Sequence, residues 1–220
     1  MKHLFLIITI LLFNNCFAQN DLELKIINDT IKKVSIFDEN NIVYTLKNVS
    51  DKNYLIILDS EEFNEDGEYY VEPEFAGLPD YYVFEKQTLL GSSHAFHHGT
   101  NKFDVDRSHT DFTKFKKSFS KLFNEKDLEI AFRISKNIIK LNPGEEKYFS
   151  TSVNFPTYKS RYIELKNKSE YYFQIGLQTP KEIVEKYYQP IKEKNNDEVI
   201  FVGQVFSNKI PLIYEVYNDR

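Results

Sequence analysis

Ile42-Val43-Tyr44-Thr45-Leu46-Lys47 runs into Asn48-Val49-Ser50-Asp51-Lys52-Asn53 and then into Tyr54-Leu55-Ile56-Ile57-Leu58. In the first stretch Ile42, Tyr44 and Leu46 alternate with more polar neighbours, the period of a strand with one buried face. The middle stretch is rich in turn formers. The last is apolar without a break and reads as a buried strand. The same rhythm of short β-branched and aromatic runs, separated by Asn, Asp, Gly and Pro, extends both ways. It covers residues 31–37 upstream and 81–84, 128–134, 138–141, 148–155, 171–177, 199–206 and 210–217 downstream. Two stretches break it. Between Asp111 and Lys126, Phe112, Phe115, Phe119, Leu122 and Phe123 recur at helical spacing, with Lys114, Lys116, Lys117 and Lys121 on other faces. That stripe is expected to pack onto a sheet in preference to lying on an anionic membrane surface. In residues 180–193, Pro180 suits a first helical turn, and Ile183, Val184 and Tyr187 make a short apolar stripe before Pro190.

Many short strands with few helices predict a mostly-β chain: an antiparallel β-sandwich with a loop-and-helix insertion around residues 91–126 and one further short helix. Residues 19–220 are read as a single domain, because about 200 residues suffice to bury a sizeable core.

The start of the chain reads as an export signal. Lys2 and His3 precede a run from Leu4 to Phe13 that is apolar apart from Thr9, and Asn14 and Asn15 end it. The run is too short to span a bilayer, which takes about 20 residues. Ala18 before Gln19 offers a small residue at the cut, so residues 1–18 are assigned as signal peptide. Cys16 supplies a different reading, lipidation, but Phe13 and Asn15 stand where Leu and a small residue would be expected. Cys16 is the one cysteine in the chain, so no internal disulfide is possible. Loss of Lys2 with the signal leaves 27 basic residues against 33 acidic ones, a net charge of −6. That balance argues against non-specific nucleic-acid binding. Beyond the signal no apolar stretch approaches membrane-spanning length. With 19 Phe, 15 Tyr and no Trp, the core is expected to be aromatic-rich.

Three local patterns carry a resemblance. Tyr44-Thr45-Leu46-Lys47-Asn48-Val49-Ser50 resembles the strand, Asn and Ser turn of immunoglobulin-like sandwiches in secreted bacterial proteins, including the proteinase-inhibitor type. Leu141-Asn142-Pro143-Gly144-Glu145 before Tyr148-Phe149 is similar to the turn leading into a strand in that group. Residues 201–208 before Ile210 look like its closing hairpin. The resemblance implies a fold and no activity. No inhibitory loop matches residue by residue, and residues 91–126 have no counterpart in the pattern.

Chemistry concentrates in the histidines. Apart from His3 they are His94, His97, His98 and His109, with Asp104, Asp106 and Asp111 close by. Imidazole and carboxylate suit zinc and similar divalent metals. On a helical turn capped by Ser92 or Ser93, His94, His97 and His98 share a face; on a strand only His94 and His98 do. The competing reading is an exposed polar loop, favoured by Gly91, Gly99 and Asn101. Residues 59–74 are acidic, but Glu62 and Pro73 stand at the first and twelfth positions of a calcium loop, so no EF-hand forms. The pairs Tyr69-Tyr70, Tyr81-Tyr82, Tyr171-Tyr172 and Tyr187-Tyr188 offer aromatic surface to a glycan or protein partner, although one tyrosine of each strand pair should point inward. No phosphate loop, dinucleotide fingerprint or nucleophile elbow is present. The first expectation is an exported, non-enzymatic binding module of the periplasm, cell surface or medium, with no cofactor. The alternatives are a metal-dependent enzyme centred on the histidines and a lipid-anchored envelope protein.

Overall fold

The computed structural model describes residues 21–35, 37–64, 72–94, 110–159, 161–192 and 198–216. In chain order the first strands are β1 (Leu22–Ile26), β2 (Ile31–Lys33), β3 (Asn40–Asn48), β4 (Tyr54–Ile57), β5 (Asp80–Glu85), β6 (Thr88–Leu89) and β7 (Ser93–His94). Two helices follow, α1 (Thr110–Phe119) and α2 (Glu125–Lys136). Next come β8 (Ile138–Leu141), β9 (Glu146–Val153), β10 (Thr157–Tyr158), β11 (Arg161–Tyr162) and β12 (Tyr171–Thr179). A short helix, α3, starts at Lys181–Ile183 and continues as a wider turn over Val184–Tyr188. The chain then forms β13 (Val199–Ile200), β14 (Gly203–Phe206) and β15 (Ile210–Tyr214).

The fold is mostly β and its sheets are mainly antiparallel. The strand orders are β1-β3-β9, β13-β4-β8, β10-β11-β7 and β2-β15-β12-β5-β6, with β14 also on β12. Two pairings are parallel, β13 with β4 and β15 with β2. Side-chain alternation decides what each strand buries. Leu22, Leu24 and Ile26 of β1, Ile42, Tyr44 and Leu46 of β3, and Tyr171, Phe173, Ile175 and Leu177 of β12 all enter one core. It is aromatic-rich, as the composition implied: Tyr81 stacks on Phe173 at 6.0 Å and meets Phe155 edge-on at 6.3 Å.

The apolar run of β4 is explained by burial on both faces. Tyr54, Ile56 and Leu58 enter the main core. Leu55 and Ile57 point the other way, into a second core closed by Ile130, Ala131 and Ile134 of α2 and Ile183, Val184 and Tyr187 of α3. Burial of each Leu, Ile or Val among them is worth roughly 1.5–3 kcal/mol.

Three expectations need correction. Residues 128–134, read as a strand, belong to α2. Leu128, Ala131 and Ile134 recur every three residues, and the Asn124 side chain accepts from Asp127 N at 2.9 Å, capping the helix. The cap settles a pattern that fits either period. Residues 199–206, read as one strand, are two in different sheets, broken at Phe201-Val202 before Gly203 with φ 139°. The closing hairpin is also not one. β14 and β15 pair with β12 at 176–179 and 171–173 respectively, in line along it. Between them Ser207 N donates to Ile175 O (2.9 Å) and Ile175 N to Ser207 Oγ (3.0 Å). Strand β1, LELKI, was not among the expected strands, yet its alternation is complete. The Phe stripe of α1 packs on α2, and through Phe115 it also joins the second core that holds Leu55 and Ile57 of β4. Phe112 and Phe115 lie 5.2 and 5.3 Å from Phe132 of α2.

Candidate functional site

Because Tyr171, Phe173, Ile175 and Leu177 face the core, their neighbours Tyr172, Gln174, Gly176 and Gln178 line the opposite face of the largest sheet. Registers place Tyr172 opposite Phe84, Gln174 opposite Tyr82 and Gly176 opposite Asp80 on β5. On the other side of β12, Phe206 stands opposite Gly176. A Cβ at Gly176 would come within 3.0 Å of both Phe206 and Tyr82, so glycine lets the two rings meet over the backbone. They do so edge-on at 5.7 Å. The face therefore carries a band of Phe84, Tyr82, Tyr172 and Phe206, with Asp80 at one end.

The two ends of this band differ. At the Asp80 end the face is covered. Asn64 Nδ2 donates to Asp80 Oδ1 at 2.8 Å, and Asp80 is 3% exposed. Burial pushes its carboxyl up to about 6, against the opposing pull of Asn64, Arg161 and Tyr82. Arg161, also buried, lies 4.2 Å over the Tyr81 ring and donates from Nη1 to Tyr81 O at 2.9 Å. Its Nε has no partner among the described residues.

At the Tyr172 end the face is open. Three chain segments meet there: the β5–β6 turn with Lys86 and Gln87, the start of β12 with Glu170 and Tyr172, and Lys209 between β14 and β15. They line a shallow groove of about 600 Å³. The parts are fixed to one another. Lys86 N donates to Glu170 O at 3.0 Å, and Tyr172 OH donates to Glu170 Oε1. That bond to Glu170 raises the Tyr172 phenol above its usual range. The Lys209 ammonium sits 3.4 Å above the Phe84 ring centre. Lys86 adopts φ 55°, a left-handed conformation that costs a residue with a Cβ roughly 1–2 kcal/mol.

Of the residues singled out from the sequence, His94 lies on β7, paired in register with Arg161 of β11. His97, His98 and His109 lie outside the described residues, as do Asp104, Asp106, the pair Tyr69-Tyr70, Cys16 and residues 1–18. Asp111 opens α1 and pairs with Lys136 at 2.6 Å. Among the described residues no three His, Cys, Asp or Glu side chains are grouped to hold a metal ion. Of the tyrosine pairs, Tyr81-Tyr82 and Tyr187-Tyr188 are buried at both positions, and only Tyr172 of Tyr171-Tyr172 reaches the surface groove. Among the described residues no helix is long and apolar enough to cross a membrane. Sequence reasoning missed Lys86, Gln87, Glu170 and Lys209, which are ordinary loop residues until the strands bring them together. No family model matches the chain, and no curated protein is significantly similar to it.

Proposed function

We propose that the chain is an exported, non-enzymatic binding module of the immunoglobulin-like sandwich type, and that it binds its ligand in the groove around Tyr172. The observation that carries this reading is the groove itself, where three distant segments of the chain are tied together on an open sheet face. Preorganised polar side chains beside an aromatic ring lower the cost of binding.

The corner where two of the resembling sequence patterns meet supports the sandwich assignment. Gly144 N donates to Asn48 O at 2.9 Å, and Asn48 N to Glu145 O at 3.0 Å. Strands of several sheets also share one core. Export rests on residues 1–18, read as a signal peptide.

The competing reading, a metal enzyme centred on His94, His97, His98 and His109, makes a separate prediction. A ligand that binds only the folded state stabilises it by about 2.7 kcal/mol at a hundredfold excess over its dissociation constant. The binding-module reading expects micromolar zinc, manganese or nickel to leave the melting temperature of the mature chain unchanged. A metal-dependent rise, abolished when His94, His97 and His98 are all changed to Ala, overturns it in favour of the enzyme.

A further inference from the structure

We infer that the groove around Tyr172 takes an acidic oligosaccharide, a chain of sugar rings bearing carboxylates. The inference rests on the binding-module reading and assigns its ligand class.

Charge favours an anionic ligand. The chain as a whole carries a formal net charge of −5. The groove instead brings two ammonium groups, Lys86 and Lys209, to one place, against the single carboxylate of Glu170. That carboxylate already accepts from the Tyr172 hydroxyl. A local positive spot on an acidic protein draws anionic ligands.

The lining of the groove is polar. Gln87 supplies an amide that both donates and accepts, and Glu170 with Tyr172 supplies a bonded carboxylate–phenol pair. Such groups match a ligand dense in hydroxyls. Lys209 covers the Phe84 ring face, so that ring anchors the cation instead of stacking on the ligand.

A peptide would not find what it needs in the groove. β6, the strand beside the groove, is two residues long and offers no run of backbone for strand addition. The residues lining the groove are polar apart from the Tyr172 ring, so no pocket accepts an apolar anchor side chain.

The test is calorimetric titration of residues 19–220, without added divalent metal, with oligogalacturonate, with its methyl-esterified neutral form, and with an oligo-glutamate peptide. The expected result is binding of oligogalacturonate at least tenfold tighter than of the ester or the peptide, weakening as salt rises. The double change Lys86→Asn and Lys209→Gln should lower that affinity at least tenfold at unchanged melting temperature. Asn tolerates the left-handed backbone at 86, so the fold should survive. Equal binding of acid and ester, lost on Tyr172→Ala, overturns the acidic-ligand inference and leaves the groove reading standing. Tighter binding of the peptide overturns it in favour of a protein partner. Binding of any probe that is indifferent to all three changes overturns both the inference and the groove reading, and so does no binding of any probe.

Discussion

Two buried polar clusters are built in opposite ways. Around Asn48 everything is neutral and every polar atom of the side chain is used. Its Nδ2 donates to Lys52 O at 2.7 Å and Leu141 O at 3.0 Å, and its Oδ1 accepts from Ser50 N at 3.0 Å and Ser50 Oγ at 2.8 Å. Around Asp80 the groups are charged and incompletely paired: a buried carboxylate held by Asn64 and Tyr82, and a buried guanidinium whose Nε is unmatched among the described residues. The first cluster closes a turn and ties β3 to β8, so it stabilises the fold. The second opposes burial of its own carboxylate and stabilises less as Asp80 ionises. A satisfied amide network and a buried charge are thus opposite in sign although both are polar cores.

The largest expected effect tests the first half of that contrast. Asn48→Ala removes four hydrogen bonds at a fully buried position, the donor to Leu141 O among them. It should lower unfolding free energy by about 3 kcal/mol in urea denaturation. A loss below about 1 kcal/mol would show that water enters the corner and that the network is dispensable.

The smaller effect tests the second half. Burial raises the folded-state pKa of Asp80 to about 6, above the value of about 4 for an unfolded carboxyl. The stability linked to this group is therefore complete below the unfolded value and lost as pH rises through 6. Lowering pH from about 7 to about 5 should add about 1 kcal/mol at this site. Histidines titrate in the same window, so the quantity to read is the difference between the parent chain and Asp80→Asn, which should lack this part of the slope. Identical slopes in the two would mean that Asp80 is ionised and well solvated throughout.

The same contrast explains what was legible in the sequence. The Asn48 corner is short-range: a strand period, an Asn-Val-Ser turn and a Pro-Gly turn can be read one after another, and the fold class follows from them. The buried run at Tyr54-Leu55-Ile56-Ile57 was legible for the same reason, as was the helix read within 180–193 and found as α3 from Lys181 to Tyr188. Residues 128–134 were not, because Leu128, Ile130 and Ile134 satisfy a two-residue period as well as a helical one, and the Asn124 cap that decides lies outside the run. The Asp80 cluster joins Asn64, Asp80 and Arg161 from three elements, and no local pattern announces it. The groove is of that second kind. Lys86, Glu170 and Lys209 become neighbours only because β5, β12 and β15 lie side by side in register. The histidines, conspicuous in the sequence, contribute to the described structure only through the pairing of His94 with Arg161.

The account stands or falls on whether that groove is where the protein meets its ligand. Amide chemical-shift mapping on labelled residues 19–220, titrated in turn with oligogalacturonate, cello-oligosaccharide and oligo-glutamate, tests this directly. The account predicts that at least one probe shifts a contiguous set of amides at Lys86, Gln87, Glu170, Tyr172 and Lys209, while those of β1, β3 and β9 stay still. Shifts centred on His94 and Arg161 with the groove amides unmoved, or no shift in the groove with any of the three, would contradict it.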